Sequence, residues 1–167
     1  MEDITFPPTR NTATSDSSGI NIESDVIVFI VPIFIITMKN PHYGYGKKVS
    51  YDFDTAVEKV TAELKKEGFG LLMTIDIQEK IKEKLGKDIE KYVILGACNP
   101  PLAYEAIGAE KEIGLLLPCN VIVYEKEGDV MVSAIRPSIA MGFIANPKLQ
   151  CVANQVEPKL KSVIDQL

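Results

Sequence analysis

Leu115-Leu-Leu-Pro-Cys-Asn-Val-Ile-Val-Tyr-Glu-Lys-Glu-Gly-Asp-Val-Met-Val-Ser-Ala-Ile135 decides the fold. Two apolar, β-branched runs, Leu115–Tyr124 and Val130–Ile135, flank a polar segment, Glu125–Asp129, that contains Gly128. This pattern predicts two strands joined by a hairpin. No helix separates them, so at least part of the sheet is antiparallel and a purely parallel α/β fold is excluded. Pro118 interrupts the first run and predicts a bulge, a bend or an edge position there.

Upstream, strands and helices alternate. Lys47–Tyr51 predicts a short strand, and Asp54 an N-cap for a helix with Val57, Val60 and Leu64 on its apolar face, stopped by Gly68. Gly70–Ile75 predicts a strand. Asp76 with Glu79 has capping-box spacing ahead of a helix carrying Ile77, Ile81 and Leu85 and stopped by Gly86. Tyr92–Ala97 predicts a buried strand, and Asn99-Pro100 opens a third helix with Leu102, Ala103, Ala106 and Ile107 on its core side. Downstream, Ser138–Phe143 fits no single element. Asn146-Pro147 opens a last helix with Leu149, Val152, Val156, Leu160, Val163 and Leu167 on one face, which Pro158 should kink or split. The sum is one α+β domain over 39–167: a twisted, mostly antiparallel sheet with helices packed on one face.

The chain has 167 residues, 46% apolar and 25% charged, so it buries a core without disulfide or metal staples. Its 18 bases and 23 acids give a net charge of −5. Most of that lies in residues 1–38, where Arg10 stands against Glu2, Asp3, Asp16, Glu23 and Asp25. Arg10 and Arg136 are the only arginines, which disfavours nucleic acid as a partner. The three cysteines, Cys98, Cys119 and Cys151, form no Cys-x-x-Cys pair. An odd, dispersed set speaks against a secreted disulfide framework and for the reducing cytoplasm.

Residues 1–38 form an extension outside that domain. Residues 1–25 are polar and Ser/Thr-rich, and disorder is expected there. Val26–Met38 is almost wholly apolar but spans 13 residues and contains Pro32. A spanning helix needs about 17–25 residues. Three readings stand: an added hydrophobic strand or interfacial anchor, a marginal span giving membrane contact, or a true start at Met38.

The motifs Gly96-Ala-Cys-Asn-Pro100 and Leu117-Pro-Cys-Asn-Val121 are specific. With the stretches around them, Tyr92–Ala103 and Ile113–Tyr124, they resemble the family catalogued as domain of unknown function 302. The likeness runs from about Gly44 to Leu167. It implies a small α+β fold and a homodimer, and it implies no reaction. Residues 1–38 lie outside the family pattern. Arg136 stands where an acidic residue is more usual.

Cys98 ends a strand and immediately precedes a helix N-terminus. The free N–H groups and dipole there favour a thiolate or an anionic ligand; a small residue closing a corner is the plainer role. If the strands ending near Cys98 and beginning near Cys119 are neighbours, the pairs Cys98-Asn99 and Cys119-Asn120 face one pocket. Arg136 offers a bidentate clamp for a carboxylate or phosphate, or a surface or dimer-interface salt bridge. Cys151 reads as structural. His42, the only histidine, lies outside the family-like region, so a Cys–His dyad is not expected. The cysteines lack zinc-site spacing, so no metal site is assigned, although two thiolates suit a soft ion such as Cu(I). No cofactor motif is present; Gly44 and Gly46 are not followed by a phosphate-loop pattern.

Two main classes of function remain, beside a membrane-tethered accessory domain that rests only on Val26–Met38. One is a non-enzymatic domain binding a small molecule as a homodimer. The other is a thiol-dependent redox or soft-metal-handling protein using Cys98 and Cys119.

Overall fold

The computed structural model describes residues 43–167, preceded by Ile30–Val31 (β1) and Phe34–Ile35 (β2). The chain divides into two units, Met1–Asn40 and Pro41–Leu167. In the first, β1 and β2 pair antiparallel, Ile30 with Ile35 and Val31 with Phe34. The disorder expected over residues 1–25, and most of Val26–Met38, lie outside the described residues.

The second unit is built on a five-stranded sheet. Its strands are Gly44–Val49 (β3), Gly70–Asp76 (β4), Tyr92–Cys98 (β5), Cys119–Lys126 (β6) and Asp129–Ile135 (β7). Their order is β3-β7-β6-β5-β4, and every neighbouring pair is antiparallel. The hairpin forms as the sequence predicts. Lys126 pairs with Asp129, and Glu127 and Gly128 take the two left-handed positions of the turn, with φ of 54° and 86°. Two such residues match the right-handed twist of the flanking strands.

The helices are Phe53–Lys66 (α1), Ile77–Leu85 (α2), Pro100–Ala109 (α3), Pro137–Ala140 (α4) and Pro147–Asp165 (α5). Local signals set their ends. Asp76 accepts from the Glu79 amide and Asn99 from the Leu102 amide, while Gly86 closes α2 in the left-handed region. The cap of α1 is Asp52, not Asp54, and accepts from the Thr55 amide at 2.9 Å. Val57, expected on the buried face of α1, is half-buried beside Phe53, Ala56, Val60 and Leu64. Helix α2 forms where expected but buries none of its residues, Ile77, Ile81 and Leu85 included. Pro158 neither splits nor ends α5, which runs unbroken past it.

Pro118 does not interrupt a strand by a bulge, bend or edge position, as expected; it precedes the strand. Lys111–Leu116 winds into a 3-10 helix, the Leu117–Pro118 peptide is cis, and β6 begins only at Cys119. The apolar run from Ile113 to Leu117 carries no periodicity that tells a strand from a short helix.

Alternation sorts the sheet into two faces. On one, Val93, Leu95, Ala97, Cys119, Val121, Val123, Val132 and Ala134 are buried and form one core with residues of α1, α3 and α5. On the other, Ile75, Ile94 and Ile122 form a cross-strand row, and Tyr92 stacks on Tyr124 at 5.7 Å. Gly96 also faces that side. A Cβ there would stand 2.7 Å from Met73 and 2.9 Å from Pro118, so glycine permits their close approach.

The two sheet edges differ. The β3 edge carries Lys47 and Lys48, the second paired with Asp129 at 2.6 Å. The β4 edge exposes Leu71, Leu72 and Met73, Leu72 to 65%.

Candidate functional site

The site forms where β5 runs into α3 and β6 begins. Ala97 stands directly opposite Cys119, so the strands bearing the two cysteines are neighbours, as the sequence reading required. Behind them is a cavity of about 30 Å³. Cys98, Asn99, Leu102 and Ala106 wall it on the β5–α3 side, and Leu117, Pro118 and Cys119 on the β6 side. Phe69, Pro137, Met141, Val152 and Val156 close it. The wall surface is apolar throughout.

Both thiols in this cavity are held in their neutral form. Burial pushes the Cys98 thiol above its ordinary value. Burial, with the neighbouring Cys98 adding to it, pushes Cys119 up to about 11. This reverses the depressed Cys98 value expected at a helix N-terminus: desolvation disfavours the thiolate. Asn99 spends its Oδ1 on the Leu102 amide at 3.4 Å.

Two of the five residues singled out lie elsewhere. Asn120 is exposed and does not line the cavity; alternation turns it from Cys119 toward the other sheet face. Arg136 also lies outside the lining. Its Nε donates to Glu157 Oε1 at 2.9 Å, a largely buried salt bridge within the chain rather than the surface or dimer-interface bridge expected. Cys151, expected as a structural residue, is exposed on α5. Among the described residues no group of three or more His, Cys, Asp or Glu gathers to hold a metal. None of the described helices is long and apolar enough to cross a membrane.

Sequence reasoning missed Phe69, Pro137, Met141 and Glu157. Glu157 is the only buried charged residue among those described. It sits with Ala153, Leu160 and Ile164 on the buried stripe of α5, at helical spacing. A carboxylate on an apolar stripe is the signal that would have found it. It accepts from Arg136, from Lys161 Nζ at 2.8 Å, from the Ser138 amide at 3.1 Å and from the Ser138 hydroxyl. Burial opposes its charge, but bonds from Lys161, Ser138 and Arg136 outweigh that and hold its carboxyl at about 2.

This arrangement sits on a sheet and helices that match a known family. The model of the domain of unknown function DUF302 matches residues 45–167. The chain belongs to this family. The DUF302 domain is also similar to a solved structure, the uncharacterized conserved protein DUF302 from Bacillus stearothermophilus. The two share 31% identity with a TM-score of 0.71, over 75% of this chain and 98% of that one. No curated protein matches the chain. The α+β fold that the resemblance implied is therefore the fold of this DUF302 domain.

Proposed function

We propose that this DUF302 protein binds a small, uncharged, apolar molecule and acts as a homodimer in the cytoplasm. One observation carries the reading: the cavity between β5, α3 and β6 offers an apolar wall with two neutral thiols and no charged group. Ligand sites are concave, mostly apolar and sparingly polar. A charged ligand would lose its hydration there without a partner in return.

The dimer reading comes from the family resemblance and is supported by the sheet. Its second face carries Ile94, Ile122, Tyr92 and Tyr124, and its β4 edge carries exposed Leu71, Leu72 and Met73. Unblocked apolar edges are templates for further strand pairing. Three free cysteines suit a reducing compartment.

Native mass spectrometry of the full chain, beside its denatured mass, tests both parts. A dimer carrying a small added mass supports the reading and weighs the ligand. A monomer overturns the dimer, and a bare mass under every expression condition overturns tight binding.

A second reading stands because Cys98 and Cys119 line one cavity. A thiol-dependent redox or soft-metal role would use that pair. Retention of Cu(I) by the wild type, lost in both Cys98→Ala and Cys119→Ala, would favour it; equal retention by all three excludes it.

A further inference from the structure

We propose that α4 is the movable wall of the apolar cavity and that the Glu157 carboxylate is the latch that keeps the cavity narrow. The proposal deepens the binding reading by assigning how that site opens, and it rests on that reading for its biological meaning.

The cavity, about 30 Å³, has room for a water or so. Ligand pockets run to about 300–1,000 Å³. Some wall must therefore move before a ligand enters. Most walls are poorly suited to moving. Cys98 and Cys119 belong to adjacent strands of the central ladder. Val152 and Val156 belong to a 19-residue helix packed in the core. Leu102 belongs to a ten-residue helix with its own Asn99 cap.

Phe69, Leu117 and Pro118 lie in connections directly joined to β4 and β6, whereas α4 is a wall element fastened from outside. Helix α4 has four residues, Pro137–Ala140, and its N-cap residue, Arg136, gives it no side-chain cap. So short a helix does not hold itself together. Its cap comes from another element: Glu157 of α5 accepts from the Ser138 amide and the Ser138 hydroxyl. Arg136, just ahead of α4, is bound by the same carboxylate. One further tie joins α4's end to α5, from Gln150 Nε2 to the Met141 carbonyl at 2.9 Å. Next to it, Phe143 is 78% exposed and adds no anchor to the core. Pro137 and Met141, at the two ends of α4, both line the cavity. Pro137 and Met141 are themselves buried, so releasing Glu157 leaves α4 held by that packing alone and loosens a wall without breaking the sheet. Glu157 touches no ligand in this scheme; it is a positioning residue.

The test needs no ligand, so its failure is separable from failure of the binding reading. The full-length wild type, Glu157→Gln and the milder Ser138→Ala are treated with iodoacetamide under native conditions, and each cysteine is followed by peptide mass. Hydrogen exchange is read in parallel at the Ile139, Ala140 and Met141 amides, which carry the α4 bonds, and at the β5–β6 ladder. The expected result is a rise of about tenfold or more in Cys119 alkylation and α4 exchange in Glu157→Gln, smaller in Ser138→Ala, with ladder exchange unchanged. Two results would overturn the proposal. One is α4 and ladder amides rising together, which makes Glu157 a stability element alone. The other is faster α4 exchange with Cys119 alkylation unchanged, which puts the entrance elsewhere. Should Glu157→Gln not fold, the same readouts in Ser138→Ala decide.

Discussion

The Arg136 guanidinium and the Glu157 carboxylate meet at 2.9 Å, Nε to Oε1, and fasten the end of β7 to the middle of α5. The pair is largely withdrawn from water, and Lys161 and Ser138 complete the set of donors. A buried carboxylate so surrounded stays ionised, because losing its charge would strand several donors.

Acid should therefore weaken the fold through Glu157. Its carboxyl titrates near 2 when folded, against an ordinary value of 4.5. Between those values the unfolded chain binds the proton and the folded chain does not. Stability is full above the ordinary value and falls as pH drops toward the folded one, by about 3 kcal/mol in total. Urea unfolding from pH 6 to pH 2 should show this slope. In Glu157→Gln the stability at neutral pH should fall by about 1–3 kcal/mol and the slope should flatten.

The cysteines should react in the order Cys151, Cys98, Cys119. Cys151 is exposed, Cys98 is half-buried and Cys119 is buried. Thiolate is the reacting form, and burial raises both cavity thiols. Iodoacetamide at neutral pH should modify Cys98 more slowly in the native protein than in urea. Faster native reaction at Cys98 would restore the thiolate expected from its place before α3.

The β6–β7 turn should be improvable. Glu127 holds a left-handed φ of 54°, which costs a residue with a Cβ about 1 kcal/mol. Asparagine tolerates that region, and Asn-Gly is the preferred pair for this turn. Glu127→Asn should raise the Tm, while Gly128→Ala, at φ 86°, should lower it. Calorimetry of the two variants reads both signs. The Glu127 amide that donates to Glu90 is kept in either case.

The β4 edge should govern self-association if strand pairing makes the dimer. Leu72 is 65% exposed, so Leu72→Lys should change monomer stability by no more than about 0.5 kcal/mol. It should shift sedimentation toward the monomer, since edge lysines block strand addition. If Leu72→Lys stays dimeric and Ile122→Lys does not, the partner sits on the sheet face instead.

Local signals in the sequence proved the most legible. Asp76, Asn99, Gly86 and Gly128 each do their work within a few residues, and each stands where the pattern placed it. Errors arose where the deciding contact is distant. The run before Pro118 reads as strand in the sequence but winds into a 3-10 helix, since an apolar run this short carries no period that separates the two. Pro158 sits in a helix long enough, and packed well enough, to absorb a lost backbone bond. The candidate site divided the same way. Cys98, Asn99 and Cys119 meet because Ala97 and Cys119 pair, whereas Asn120 was lost to strand alternation and Arg136 to a glutamate 21 residues away. Pro137 and Met141 join the cavity through α4, a helix too short to announce itself.

The position of β3 has a consequence for synthesis. This strand leaves the ribosome first among the five, yet among the described residues it pairs only with β7, the last of them: Gly44 pairs with Ile135. Its side chains are tied still further along, Tyr45 to the Asp165 carboxylate and Lys47 to the Asp165 carbonyl. Pairings so remote in sequence are slow to form and leave early segments waiting. The nascent chain must keep an unpartnered strand out of trouble until nearly the whole domain has emerged. Lysines at 47 and 48 and glycines at 44 and 46 suit that wait, since charge and bare backbone make a poor nucleus for aggregation.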